Sequence, residues 1–158
     1  MPEGGYAQSY NNRESTMYKK ILIPIDHDAP EIVERSLGVA QALANADGGA
    51  QLRLINVQPL VPVSLLGYLP PSFDEDMQKD AEKKLAEIAG KLSWPSVAPS
   101  TVVRYGAVYP EVLAEAEDWG ADLIIVGSHR PGMATYLLGS SAAAIVRHAK
   151  CSVLVVRE

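Results

Sequence analysis

The sequence predicts an α/β protein built on one parallel sheet, with helices covering both faces. Three observations predict it. Short apolar runs alternate regularly with longer stretches of helical periodicity. The short runs are apolar almost throughout, as strands buried on both faces require. The chain has 158 residues, enough for one domain with a sizeable core.

The ordered part begins near Lys19. Ile21, Leu22, Ile23 and Ile25 make a first strand interrupted only by Pro24, whose missing N–H places it at the carboxyl end. Asp26, His27 and Asp28 form a polar turn, with Asp28 the expected N-cap of a helix carrying Pro30 in its first turn. Val33, Leu37, Ala40 and Ala44 give that helix one apolar face, and Gly48 and Gly49 end it. Leu52, Leu54, Ile55 and Val57 make the second strand.

The loop from Pro59 to Ser72 holds four prolines and one glycine. A loop of that length is usually a functional cover or a mobile segment, and it is expected close to any ligand site at the end of strand two. Phe73, Met77, Ala81, Leu85, Ile88 and Leu92 outline the second long helix, closed by Trp94 and Pro95. The acidic run Asp74, Glu75, Asp76, with Asp80 and Glu82, reads as a solvated helix start that complements the dipole. Thr101 to Val103 form strand three, ended by Gly106; Pro110 opens a helix that stops near Gly120. Leu123 to Val126 form strand four, the last helix starts at Gly139 and Ser140, and Val153 to Val156 form strand five.

Composition excludes several classes. Hydrophobic residues make up 47% and charged residues 21%, which is globular rather than disordered. A net charge of −5 gives no general electrostatic help in approaching nucleic acid. No apolar run is long enough for a membrane helix. The single cysteine, Cys151, allows no internal disulfide and suits a reducing, cytoplasmic setting; it reads as a small buried apolar group. His27 and His148 read as surface residues, and Trp94 and Trp119 as packing. Residues 1–17 read as an N-terminal arm or extension, and the sequence leaves open whether they are a disordered arm, an expression remnant or translation upstream of a second start at Met17.

In a parallel sheet, ligands bind at the carboxyl ends of strands where strand order reverses. Strand four is followed by Gly127-Ser128-His129-Arg130-Pro131-Gly132 and then by Leu138-Gly139-Ser140-Ser141. A glycine at a strand end, a loop and a Gly-Ser-Ser helix start favour phosphate through backbone N–H groups, helix dipole and hydroxyls. The same features also occur at ordinary helix caps, and the segment is neither a Walker A loop nor a dinucleotide fingerprint. No Ser-His-Asp, Cys-His or metal-ligating arrangement emerges from the spacing.

Three separated segments resemble the universal stress protein family: Ile21-Leu22-Ile23-Pro24-Ile25-Asp26, the stretch from Gly106 to Asp122, and Val126 through Ser140 to the closing Ser152-Val153-Leu154-Val155-Val156-Arg157. The resemblance covers residues 18–158 as one domain. It implies a five-stranded sheet of order 3-2-1-4-5 and a homodimer formed through the C-terminal edge strand. It also implies ATP as ligand, with Mg2+ carried by the phosphates. The family's nucleotide-binding branch carries Gly-x2-Gly-x9-Gly-Ser/Thr. Gly127 matches its first glycine, and Gly139 with Ser140 its last pair. Arg130 stands where the second glycine belongs, and eleven residues separate Gly127 from Gly139, one fewer than the pattern needs. This short Arg-Pro loop resembles the F-type branch, and Arg130 is expected to supply charge to phosphate in place of a backbone cradle.

Carried over position by position, adenine and ribose contacts fall on Pro24, Ile25, Asp26 and Val57. Phosphate and ribose contacts fall on Val126, Gly127, Ser128, His129, Arg130, Gly139, Ser140, Ser141 and Ala142. The resemblance implies an ATP-binding stress-response regulator. Two alternatives stay open: a slow ATPase or self-phosphorylating enzyme acting on Ser140 or Ser141, for which no general base is evident, and a structural dimer without nucleotide.

Overall fold

The computed structural model describes residues 17–128 and 138–157. Five strands form one sheet: β1 (Lys20–Pro24), β2 (Gln51–Gln58), β3 (Ser100–Tyr105), β4 (Leu123–Ser128) and β5 (Ser152–Arg157). Every neighbouring pair is parallel, and the order is β3-β2-β1-β4-β5. The helices are α1 (Pro30–Asp47), α2 (Val63–Leu66), α3 (Phe73–Gly90), α4 (Val108–Trp119) and α5 (Ser140–His148).

Strand parity explains the layers. In β1, Ile21 and Ile23 face one side and pack with Val33, Leu37 and Ala40 of α1 and Leu85 of α3. Leu22 faces the other side and packs with Val112 and Ala116 of α4 and Ile145 of α5. All three β1 side chains are fully buried. Burying an isoleucine or leucine contributes about 1.5–3 kcal/mol, so the central strand anchors both layers at once. The two long helices expected on each face are therefore present, and α2 is an addition within the loop from Pro59 to Ser72.

The helix starts differ in one detail from expectation. Ala29, not Asp28, is the N-cap of α1, and it makes no side-chain cap bond. The Asp28 N–H donates to Asp26 Oδ1 at 2.9 Å, so the turn is organised by the carboxylate two residues earlier. Pro30 then occupies the first turn, where its missing N–H costs nothing. Gly48 ends α1 and Gly120 ends α4, each at φ 75°, the left-handed conformation that glycine adopts without strain.

At the amino ends of the strands, Asp122 closes the sheet: its carboxylate accepts from the backbone N–H of Lys19 at 2.8 Å and of Lys20 at 3.0 Å. Trp94 Nε1 donates to Ala50 O at 2.6 Å, tying the end of α3's connection to the start of β2. On the α4 side the buried Glu115 accepts from Arg53 at 2.7 Å and from Arg104 at 2.9 Å, and Arg53 stacks on Trp119 with 4.5 Å to the ring centroid.

Candidate functional site

The sheet opens at its carboxyl end because β1 loses both of its neighbours there. Even-numbered residues of β1 bond toward β4, as the Asp122 N–H to Lys20 O bond shows. After Leu22 the next β1 donor in that ladder is position 24, and proline has no N–H to give. Pairing of β1 with β4 accordingly extends only from Ile21 to Leu22. On the other side, pairing with β2 ends at Pro24 and Ile55, with one further bond from Ile25 N–H to Ile55 O at 2.7 Å. Beyond it, Ile25 O accepts from the side-chain amide of Asn56 at 3.0 Å. Gln58 Nε2 donates in turn to Asn56 Oδ1.

The crevice is a cavity of about 370 Å³, within the roughly 300–1,000 Å³ range of small-molecule sites. It is lined by Pro24, Ile25 and Asp26 from the end of β1, Val57 from β2, Val126, Gly127 and Ser128 from β4, and Gly139, Ser140, Ser141 and Ala142 from the start of α5. These residues come from four separated stretches of chain, and the fold brings them to one space. His129 and Arg130 lie outside the described residues. The sequence reading missed Ala29, Ile32, Val33 and Ser36 of the α1 region, Ile55, Asn56, Val108 and Ile145. Most are apolar and carry no signal apart from core periodicity. Asn56 had one: it is a polar residue inside the run from Leu52 to Val57, and it is buried.

The two glycines of the candidate motif differ. A Cβ on Gly127 would lie 2.8 Å from Ile32 Cγ1 and 3.2 Å from Ile32 Cγ2. Glycine there lets α1 approach β4, so packing alone requires it. A Cβ on Gly139 would meet nothing within 4 Å among the described residues. Its φ of −59° and ψ of 152° are open to any residue, so neither its backbone nor its packing against the described residues asks for glycine at the N-cap of α5.

The start of α5 supplies donors. The first backbone bond within the helix runs from Ala143 N–H to Gly139 O, so the N–H groups of Ser140, Ser141 and Ala142 have no intrahelical acceptor. Gly139 N–H donates to Ser128 Oγ at 3.3 Å, which links the two rims. Asp26 is the one charged residue among the described residues lining the cavity, and it is exposed at the mouth. The deeper wall is neutral, lined by aliphatic side chains, hydroxyls and backbone.

The loop from Pro59 to Ser72 leaves the same end of the sheet, yet none of its residues lines this cavity. Pro59, Leu60, Val61 and Leu66 surround a separate space of about 320 Å³ with Asp74, Met77 and Tyr105. Burial there pushes the Tyr105 phenol up from its ordinary value, with Asp74 and Glu82 adding to the effect. His27 is not the surface residue expected: it is half-buried, and its Nε2 is shut from solvent without a hydrogen-bond partner among the described residues. Cys151 is half-buried beside the α4–α5 layer.

No helix among the described residues is long and apolar enough to cross a membrane. The same set holds no group of three or more His, Cys, Asp or Glu side chains suited to a metal ion.

The fold is shared with known proteins. Residues 17–157 match the model of the Universal stress protein family. Universal stress protein G of Shigella flexneri is 36% identical over 147 residues, spanning 89% of this chain and 100% of the relative. A solved universal stress protein family structure from Burkholderia pseudomallei is 26% identical with a TM-score of 0.66, covering 90% of this chain and 98% of that one. Two more distant structures share the fold. A universal stress protein in complex with cAMP is 22% identical, with a TM-score of 0.54 and coverage of 88% and 96%. A family protein from Arabidopsis thaliana with AMP bound is 17% identical, with a TM-score of 0.57 and coverage of 89% and 92%. The strand order, the crevice and these matches have one meaning: the chain belongs to the universal stress protein family.

Proposed function

We propose that this protein is an ATP-binding regulator of the stress response, holding the nucleotide at the carboxyl ends of β1, β2 and β4. The observation that carries the reading is the shared cavity. The segments singled out for the base and the described residues singled out for the phosphates line one space at the point where strand order reverses. The base and ribose lie toward Asp26 and Val57. The phosphates lie toward Gly139, Ser140, Ser141 and Ala142, where N–H groups without an intrahelical acceptor, hydroxyls and the positive end of the helix dipole converge. Asp26 is the expected acceptor for a ribose hydroxyl.

Gly139 supports this reading more strongly than Gly127. No described neighbour requires glycine at position 139, and a Cβ there would meet none of the described residues within 4 Å. A glycine without a folding reason, at a helix start facing a cavity, fits close approach of a ligand to the backbone. The fold also houses adenine nucleotides in the cAMP and AMP complexes of the two distant family structures. Mg2+ arrives with the nucleotide in this reading, held by phosphate oxygens and water.

The protein acts as a homodimer in this proposal. β5 is an edge strand, and Leu154 on it is 38% exposed. An apolar, unblocked edge is a ready surface for a second copy.

Native mass spectrometry of the purified protein and titration calorimetry with Mg-ATP test the nucleotide reading. The expected results are a mass increase matching ATP and saturable binding below millimolar ligand. Absence of binding by ATP, ADP and adenosine alike at millimolar concentration would refute it.

A further inference from the structure

We infer that Asn56 is a positioning residue that parts β1 from β2 and so exposes the backbone of Val57 to the base. The inference rests on the nucleotide reading above and names the device that creates its base-binding edge.

Ladder parity sets which way each backbone group of β2 points. In β2, Ile55 O accepts from Ile25 N–H, so odd-numbered residues bond toward β1. Gln58 O accepts from Gly106 N–H, so even-numbered residues bond toward β3. Val57 is odd, and its N–H and C=O point toward β1. A ladder continued by one step would pair Val57 N–H with Ile25 O. That bond is absent; Ile25 O accepts instead from Asn56 Nδ2 at 3.0 Å. The side chain has taken the acceptor that the next backbone donor would have used.

Burial makes the substitution firm. Asn56 is 6% exposed, and its amide is satisfied on both ends, by Ile25 O and by the Gln58 amide. Gln58 donates to Asn56 Oδ1, which turns the Asn56 N–H toward Ile25. Val57 is thereby left with one donor and one acceptor facing the cavity. A backbone N–H beside a backbone C=O is complementary to the edge of a 6-aminopurine, which offers a ring-nitrogen acceptor beside an amino donor. The strand end becomes a reader of the base only because the side chain of its neighbour has replaced it in the sheet.

The test has a limb that needs no ligand. Amide hydrogen exchange by NMR on the ligand-free wild type is expected to show Val57 N–H exchanging at least about tenfold faster than Ile55 N–H, because only the second is in the ladder. Mg-ATP is expected to slow Val57. In Asn56→Leu the acceptor is released, so Val57 N–H is expected to become protected without nucleotide. Calorimetry on that variant is expected to show ATP affinity reduced about tenfold, the loss of one or two hydrogen bonds, with inorganic tripolyphosphate binding unchanged. Gln58→Leu is expected to act in the same direction and more weakly. Equal protection of Val57 and Ile55 in the ligand-free wild type would overturn the inference whether or not the variants fold. So would an Asn56→Leu protein whose Val57 exchange and ATP affinity match the wild type. A wild type that binds neither ATP nor adenosine removes the nucleotide reading, and with it the base-reading role. The exchange contrast still decides whether Asn56 parts the strands.

Discussion

Gly127 and Gly139 stand on two rims of one cavity, and each answers to a different demand. Gly127→Ala places a methyl against the branched, buried side chain of Ile32. Overpacking of that kind costs about 1–3 kcal/mol, and Ile32→Ala in the same chain is expected to relieve the clash, so that the double variant loses less than the sum of the two single losses. Urea denaturation of the two single variants and the double variant checks the coupling; an unchanged midpoint for Gly127→Ala would sink the packing account. Gly139→Val is expected to alter stability by no more than about 1 kcal/mol while abolishing ATP binding measured by calorimetry. Tight binding by that variant would place the phosphates elsewhere. The sequence marked both glycines but did not separate their roles, because the neighbour that decides, Ile32, lies 95 positions away in the chain. Asn56 was harder to read for a related reason: its meaning lies in which carbonyl it reaches. Cys151 supplies a pH test. Burial pushes its thiol above the ordinary 9.0. The folded chain thus holds the proton more tightly than the unfolded one. This contribution to stability is complete below pH 9.0 and falls as the pH rises through the folded value. Alkylation at pH 9 is expected to be slower for native protein than for protein in denaturant; equal rates would show the thiol to be unperturbed.

Among the elements, α4 is held to β2 and β3 by charge as much as by apolar contact. Glu115 is buried, with its side chain 6% exposed, whereas the side chains of Arg53 and Arg104 retain 26% and 22%. Arg104 also reaches Asp118 at 2.6 Å. Removing one partner of a buried pair costs about 3–5 kcal/mol, and the arginines' access to water lowers the expectation for Glu115→Ala to about 2–3 kcal/mol. Chemical denaturation with an unchanged m value checks it; a loss under 1 kcal/mol would assign the network to the surface class. The alternation of apolar runs made the five strands and four long helices legible, and glycine marked the ends of α1 and α4. The start of α1 was misplaced by one residue because Asp26 and Asp28 are chemically alike, and only the fold shows which carboxylate accepts. The helix from Val63 to Leu66 went unseen because four residues are too few to show a period. The ion network was equally hidden, since nothing in the local sequence joins Arg53, Arg104 and Glu115 until the sheet brings them together.

At the scale of the whole molecule, strand order was legible through family resemblance and not from periodicity, which counts strands without ordering them. The same order leaves β5 at one margin, where the proposed dimer forms. Leu154→Glu is expected to convert the dimer to monomer by light scattering at micromolar concentration, with far-ultraviolet dichroism unchanged; a wild type already monomeric there would defeat the proposal. The order also has a consequence for synthesis. The central strand β1 is made first among the strands, but one of its two flanks is filled by β4, which begins at Leu123. When β3 ends at Tyr105, the ribosome still has to add α4 before β4 starts. At about 5–20 residues per second that interval lasts roughly 1–4 s. During it the β1–β2–β3 half-sheet carries a strand with the apolar run Ile21-Leu22-Ile23 and one hydrogen-bonding flank exposed. Pulse proteolysis of stalled nascent chains is expected to find chains ending after Tyr105 far more susceptible than chains whose β4 has emerged. Protection that arrives before β4 does would show that the half-sheet shields itself. Nascent chains of this order are most vulnerable at their middle, and the last two strands serve as the closing step that removes the hazard.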